Sequence, residues 1–325
     1  MRWSIHFILF FFVMLSICGS ASALLPARAH WIEFNRNLGL YYLCAHILTL
    51  VALPFFRQLL SRRLLLVIGI VLSLLVGHYS ALLWKYFFYS TAVQERRLAA
   101  VAESQPVEFS VLYIDAEDIR EEQSLLTSIR AGRFALIGLS NLVPGGVLDQ
   151  ALQVDFPFVA RAADPTGVSV LALFSQFPLN SPITDLGEGA PPALIVELQL
   201  PNKRRLSCGV LNAPTLFKEK QYWESLVYLR RLTTLFHTER ESLLLLGGFE
   251  ATTFSSLLRV FLVNDRLSEA AYGRGYRSTW HAQRLFSWFD LDHILYRGPL
   301  VATAFRRLEP FGGAHFPLAA DFRAY

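Results

Sequence analysis

Hydrophobic positions are continuous near the start of the chain and become periodic after residue 90. Three apolar runs cover residues 5–18, 38–56 and 64–84, and the third has no charge over a length that can cross about 30 Å of hydrocarbon. Three such runs so close together predict membrane helices rather than core helices of a soluble domain. Ala-Ser-Ala at 21–23 follows the first run, so a cleavable signal peptide and a first membrane helix remain open alternatives.

The charges between the apolar runs predict the orientation of the chain. Residues 57–63 contain three arginines and no acid, whereas the preceding loop partly offsets Arg28 and Arg36 with Glu33. Because basic loops stay in the cytoplasm, residues 57–63 are placed there and the following domain on the other side. The aromatic cluster at 84–89 is typical of a helix leaving the bilayer. We therefore expect an inner (plasma) membrane protein with a large extracytoplasmic (periplasmic) C-terminal domain.

After a polar stretch at 91–106, expected to be a partly helical linker, the pattern becomes one of short alternating elements. Strand patterns cover 107–114, 134–139, 168–174, 193–200, 205–211, 243–246, 292–296 and 318–322, and helical patterns cover 121–130, 219–237 and 255–262. Strands in runs separated by a few helices predict two packed sheets flanked by helices. The chain is thus divided into a membrane region (1–90, two or three helices), a linker (91–106) and one globular domain (107–325).

Composition narrows the function only slightly. The chain is 53% hydrophobic and 17% charged, and the apolar excess lies at its N-terminus. Its net charge of +4 is spread over scattered arginine pairs, so there is no strong nucleic-acid signal. Cys208 is the only cysteine after residue 106, which excludes a disulfide inside the domain, and a small packing residue is the expected role.

Residues 243–259, LLLLGGFEATTFSSLLR, combine a buried strand, a glycine turn and a short helix. This segment resembles the GDFN-A-T strand–turn–helix of the endonuclease/exonuclease/phosphatase (deoxyribonuclease I-like) superfamily. Segments 168–179, 278–280, 289–295 and 313–322 resemble, in the same order, later motifs of that family. The resemblance covers 107–325, is similar to membrane-anchored bacterial members, and implies a four-layer α/β/β/α sandwich. It also implies a hydrolase site for phosphate esters that uses a divalent metal, a base and a histidine.

Most of the residues that the resemblance would place in that site are different here. Asp292 and His315 match the family's catalytic Asp–His pair. The departures are Asp115 for an asparagine, Asn141 for the metal-binding glutamate, Asn212 for a phosphate-contacting histidine, Gly248 for the water-activating aspartate, Glu250 for its partner asparagine, and Ala314 for the aspartate before the last histidine. Losing the base alone removes roughly 10²–10⁴-fold of rate, and losing the metal removes the main charge stabilisation as well.

Two hypotheses about function follow, one for a binding module and one for an enzyme, and a third, simpler one is a structural role. The first is a membrane-anchored module that binds or scaffolds an unknown protein or phosphate-containing ligand, without cofactor and without catalysis. The alternative is a hydrolase whose Mg²⁺ or Mn²⁺ site has moved to Asp115 and Glu250, with Asp292 and His315 as an acid–base pair rather than a structural hydrogen bond. The third is a structural membrane protein whose helices alone carry the role.

Overall fold

The computed structural model describes residues 13–14, 16–25, 29–58, 60–102, 105–163, 168–180, 182, 186–187, 190–216, 218–237 and 242–325. The first apolar run, 5–18, therefore lies mostly outside the described residues. The helices before the domain are α1 (His30–Asn37), α2 (Gly39–Ala52), a 3-10 turn (Leu53–Gln58), α3 (Arg62–Phe88) and α4 (Ala92–Val101). Two segments, Gly39–Gln58 and Arg62–Phe88, are long and apolar enough to cross a membrane by length and composition.

Two sheets form the centre of the domain, and their order brings the functional segments together. The first sheet has the order β10-β11-β1-β2-β4-β3, with β1 (Val107–Asp115), β2 (Leu136–Leu142), β3 (Phe158–Ala163), β4 (Val170–Ser175), β10 (Leu300–Arg307) and β11 (Leu318–Ala324). The second has the order β5-β6-β7-β9-β8, with β5 (Leu194–Gln199), β6 (Arg205–Asn212), β7 (Leu243–Gly248), β8 (Ser268–Glu269) and β9 (Asp292–Arg297).

Helices cover both outer faces of this pair of sheets, so the domain has four layers. They are α5 (Glu122–Gly132) and α6 (Val147–Asp155) on the first sheet, and α7 (Glu219–His237) and α8 (Ser256–Asn264) on the second. The inner faces interdigitate in one core that includes Val111, Leu136 and Leu246, each fully buried. Strand β7 has no exposed residue because the core covers one face and α7 and α8 the other. The predicted α/β sandwich is confirmed.

The sequence patterns located most elements but missed five. Helices α1 and α6 and strands β3, β8 and β10 had no prediction. Strand β10 ends in two adjacent exposed arginines, β3 is an edge strand and β8 has only two residues, so none has the continuous apolar run that marked the central strands. The hairpin of β5 and β6 and the 19-residue helix α7 lie where the patterns placed them.

One detail of the charge interpretation was wrong. Glu33 and Arg36 were counted as loop charges, but both are buried in α1, where Arg36 Nη1 donates to Glu33 Oε2 over 2.9 Å. An i, i+3 pair on one helical turn brings the two side chains together, so their charges cancel inside the protein. Without this pair, Arg28 alone stands against the three arginines of residues 57–63, so the predicted orientation keeps its direction.

The helices and the domain pack against each other. Residues 91–106 contain α4, whose Gln94 donates to the carbonyl of Leu300 over 3.2 Å and whose Glu95 pairs with Arg323. Near the end of α3, the amides of Gly273 and Gly275 donate to carbonyls of the last helical turns. The division into membrane region, linker and domain remains a prediction, while these contacts show that the three segments share an interface.

Candidate functional site

Strand direction brings the candidate residues to one edge of the sandwich. Strands β1 and β2 are parallel, and so are β6 and β7, so their carboxyl ends lie at the same edges of their sheets. Strand β9 runs antiparallel to β7 and begins there, which pairs Gly248 with Asp292. The cleft residues therefore come from strand ends, namely Asp115 of β1, Asn141 of β2, Asn212 of β6, Gly248 of β7 and Asp292 of β9.

Three of these side chains form a hydrogen-bonded ladder between the two sheets. Asn141 Nδ2 lies 3.0 and 3.1 Å from the two carboxylate oxygens of Asp115, and Asn212 Nδ2 donates to Asn141 Oδ1 over 3.2 Å. The amide of Glu117 also donates to Asp115 Oδ1. Asn141 has a positive φ of 54°, a conformation that asparagine tolerates better than most residues. Groups that would face a metal or phosphate in the family are thus bonded to each other.

Asp292 and His315 form the second element of the site. His315 Nδ1 lies 2.7 Å from Asp292 Oδ2, and both side chains are nearly fully buried. Thr279 Oγ1 accepts from the amides of Leu291 and Asp292 and fixes the start of β9. Asp292 Oδ1 is buried and has no hydrogen-bond partner among the described residues. Burial alone would lower the pKa of His315, but the charge of Asp292 and its hydrogen bond raise it to about 9.

Gly248 has no side chain that could position a water molecule. A Cβ built there would lie 3.3 Å from Asn212 Oδ1, 3.4 Å from Asp292 Oδ1 and 3.4 Å from the Tyr113 hydroxyl. Tyr113 is buried and shares a 2.8 Å hydrogen bond with Ser140. The side chain of an aspartate at this position would lie close to three polar atoms, one of which is already a carboxylate oxygen, that of Asp292.

Glu250 faces the same cleft from the turn after β7. It has a φ of 52° and is half-buried. Burial raises the pKa of Glu250 to about 8, and the charges of Asp292 and Asp115 add to the increase while His315 opposes it. Burial likewise raises the pKa of Asp115. These mutual effects show that the acids share one electrostatic environment.

A metal-binding geometry is partly present. Asp115, Asp292 and His315 each offer one donor atom, and these atoms lie within 4.8 Å of one another. The free Asp292 Oδ1 fits a cation, because an unpaired buried carboxylate oxygen is otherwise unfavourable. Two carboxylates with an imidazole suit Mn²⁺ better than Mg²⁺, which prefers oxygen alone. Asn141, however, supplies no carboxylate, and its amide already donates to both oxygens of Asp115.

The structure brings the sequence-predicted residues together, and Ala314 is the one exception. Ala314 reaches the site only through its main chain, which accepts from the amide of Ala282 over 2.8 Å. Sequence reasoning did not find Tyr113, Ser140 or Thr279. Tyr113 could have been found from its position, because it lies two residues before Asp115 and therefore on the same face of β1.

Helix α1 holds the turn that carries Glu250. Asn37 Oδ1 accepts from both the amide and the hydroxyl of Thr252, over 2.8 and 2.9 Å. Glu33 is fully buried and accepts from the hydroxyls of Ser255 and Ser256 over 2.5 and 2.6 Å, and from the Leu257 amide over 3.2 Å. The first turn of α8 is therefore bound by a carboxylate from outside the domain, as the partial positive charge of a helix N-terminus favours.

A second buried network links α3 to the other side of the same turn. The hydroxyl of Tyr86 donates to Glu269, whose other oxygen lies 2.9 Å from His293 Nδ1. His293 Nε2 lies 2.9 Å from the carbonyl of Ala251. Burial would lower the pKa of His293, but Glu269 raises it to about 9, so the imidazole is charged at neutral pH. The network ends one residue after Glu250.

Comparison with solved structures identifies the fold. A family protein of the endonuclease/exonuclease/phosphatase group from Bacteroides thetaiotaomicron is 12% identical, with a TM-score of 0.55 over 68% of this chain and 100% of that chain. The mannosyl-6-phosphatase of the same organism is 11% identical, with a TM-score of 0.53 over 66% and 99%. The human Nocturnin catalytic domain with bound sulfate is 14% identical, with a TM-score of 0.55 over 68% and 94%.

No protein-family profile matches the chain, and no curated protein matches it. The structural likeness is consistent across these proteins and covers about two thirds of the chain. The protein has the endonuclease/exonuclease/phosphatase (deoxyribonuclease I-like) fold. At these identities the comparison defines the fold and leaves the activity to be argued from the site.

Proposed function

We propose that this protein is a membrane-anchored member of the fold that binds a phosphate-containing ligand or a protein at its cleft without hydrolysing it. The observation that carries the proposal is the ladder from Asn212 through Asn141 to Asp115. These polar groups donate to and accept from one another, which lowers their attraction for a metal, and Gly248 offers no base. The pair of Asp292 and protonated His315 remains available to anions or hydroxyl groups.

The anchoring and location belong to the same proposal. Helices α2 and α3 supply the spans, and the basic residues 57–63 lie at the tip of their hairpin, while α3 ends against the domain at Tyr86. Basic residues at that tip favour its cytoplasmic placement, which puts the domain outside the cytoplasm.

The full chain, purified in detergent, is expected to show no turnover of DNA, RNA, phospholipid or sugar phosphates with Mg²⁺ or Mn²⁺. Its rate should equal that of His315→Ala, because the missing base and metal ligand leave nothing for the histidine to assist. Product release measured by chromatography checks this. A rate above background that disappears in His315→Ala would contradict the proposal.

A second candidate, a metal-dependent hydrolase with a rearranged site, is favoured by one observation. The free Asp292 Oδ1 lies in a donor group with Asp115 and His315, and Glu250 shares its charge environment. There, Asp115 and Asp292 Oδ1 would hold a cation that neutralises phosphate oxygens, while Asp292 Oδ2 would orient His315, which would keep its proton for the reacting oxygen. Asn141 donates to both oxygens of Asp115, so the cation would share that carboxylate with an amide.

The second candidate predicts that the full chain binds Mn²⁺ at one site in isothermal titration calorimetry, and that Glu250→Gln abolishes the binding. A cation would draw the buried carboxyl of Glu250, whose pKa is about 8, into its ionised form, and Glu250→Gln removes that attraction. Glu309→Gln, which removes an exposed acid elsewhere, should leave binding unchanged. Absence of binding in the parent protein, or equal binding in Glu250→Gln, eliminates this candidate.

A further inference from the structure

The segment between Trp280 and Phe289 carries an exposed apolar tip. Leu285 is 93% exposed and Phe286 is 74% exposed. Two adjacent side chains of this kind at a loop end are unusual on a surface that meets only water, and such patches mark interaction sites. The tip therefore needs a partner.

Hydrogen bonds between the Tyr41 side chain and the main chain of the loop hold this tip against the first turn of α2. The hydroxyl of Tyr41 donates to the carbonyl of Phe286 over 2.7 Å and accepts from the amide of Trp288 over 3.0 Å. The rings of Tyr41 and Trp288 are stacked, with centroids 5.3 Å apart. Tyr41 is the third residue of α2, so these contacts hold the loop against the start of that helix.

Tyr41 lies at the same height along the hairpin of α2 and α3 as the aromatic residues at the end of α3. Helices α2 and α3 are antiparallel neighbours, and Leu43 packs in one buried cluster with Tyr79 and Leu83. Trp84 and Phe88, just beyond, are 59% and 65% exposed and stack on each other. Tryptophan and other aromatic residues at the end of a spanning helix lie in the interfacial layer of a bilayer.

From this arrangement we infer that the tip at Leu285 and Phe286 inserts into the interfacial layer of the same bilayer that α2 and α3 cross. The inference rests on the proposed membrane anchoring. Arg284, beside the tip, places a guanidinium where lipid phosphates lie, which is the expected position for an arginine flanking an inserted apolar pair. The occupant of this surface is thus a phospholipid bilayer.

This loop also joins the bilayer to the cleft. Trp280 forms β-bridges with His315 and Phe289, and the amide of Ala282 donates to Ala314 beside His315. An open cavity of about 460 Å³ between Tyr41 and Trp280 is lined by Arg284, Leu285 and Phe286. The site is therefore next to the lipid headgroups.

The test uses the full chain in phospholipid vesicles and a lipid-dissolved diazirine that labels only bilayer-exposed residues. Trypsin releases three informative fragments at existing basic residues: 285–297 with the tip, 64–85 from α3, and 134–161 from the domain. The last is a matched control, because its Val154 is 84% exposed but lies on α6, away from the spanning helices. Mass spectrometry measures the label on each.

Labelling of 285–297 several-fold above 134–161, reduced to that level in Leu285→Ser/Phe286→Ser and unchanged in Val154→Ser, is the expected result. Label on 64–85 with none above control on 285–297 overturns the inference and leaves the anchoring intact. Label on neither fragment overturns the anchoring and the inference together. Label at 285–297 that persists in the double serine variant also overturns insertion of the tip.

Discussion

Glu33→Ala is expected to destabilise the folded chain by about 3–5 kcal/mol, since it leaves the guanidinium of Arg36 buried without its ionic partner. The same change removes the acceptor for the hydroxyls of Ser255 and Ser256 and for one amide of α8. Thermal unfolding of the detergent-solubilised chain, followed by near-ultraviolet circular dichroism, measures the loss.

Two comparisons isolate the cause. Arg130→Ala breaks an ion pair with Asp155 in which the arginine is 57% exposed, so its effect should stay below about 1 kcal/mol. Glu33→Gln keeps the shape and some acceptors, so it should fall between the two. If Glu33→Ala unfolds at the same temperature as Arg130→Ala, α1 is not bound to the domain as described.

Glu269→Ala is expected to destabilise the chain by about 3 kcal/mol or more at neutral pH, because His293 loses the carboxylate that compensates its buried charge. It also leaves the hydroxyl of Tyr86 without its acceptor, which loosens the end of α3 from the domain. Chemical unfolding at pH 7 and limited proteolysis near residue 273 measure the two effects.

The pH dependence of the same pair gives an independent test. The pKa of His293 rises from 6.5 to about 9 in the folded chain, so folding favours its protonated form. The stabilisation is complete below pH 6.5 and is lost as the pH rises through about 9. Glu269→Gln removes the charge that raises this pKa, so its stability should change less between pH 6.5 and 9. An unchanged slope would show that the pair is not ionic.

The sequence was sufficient for the frame of the domain and for the composition of its cleft. Buried strands such as β7, with four leucines before two glycines, have one plausible structure, and parallel strand ends meet at one edge. The resemblance therefore placed Asp115, Gly248 and Asp292 at the positions where the structure has them. Whether they carry activity stays a prediction.

The contacts of the cleft could not be predicted, because they depend on side-chain direction over long sequence separations. Asn141 and Asp115 were each noted as substitutions, but only the structure shows that the two bond each other. Relative to the family pattern, acid and amide have exchanged strands. An exchange of this kind moves the charge from one strand to the other, whereas a comparison of single positions counts it as two separate losses.

Helix α1 was missed for a different reason. Its pattern contains Glu33, Arg36 and Asn37, which a hydropathy analysis assigns to a solvated loop between apolar runs. All three are buried, and the partners of Glu33 and Asn37 come from residues 252–257, far along the chain. Arg36 is held by Glu33 and by the carbonyls of Ala23 and Leu25. Polar residues that are satisfied only by tertiary contacts carry no local signal.

The hydrogen bond between Glu33 and Ser255 also sets an order of assembly. Its two residues are separated by 222 positions, and the N-terminal partner leaves the ribosome first. The turn around Glu250 therefore meets α1 only after most of the chain has been made. A chain in which α1 does not reach this turn would expose residues 250–257 to proteases, so protease resistance of these residues reports that α1 has docked.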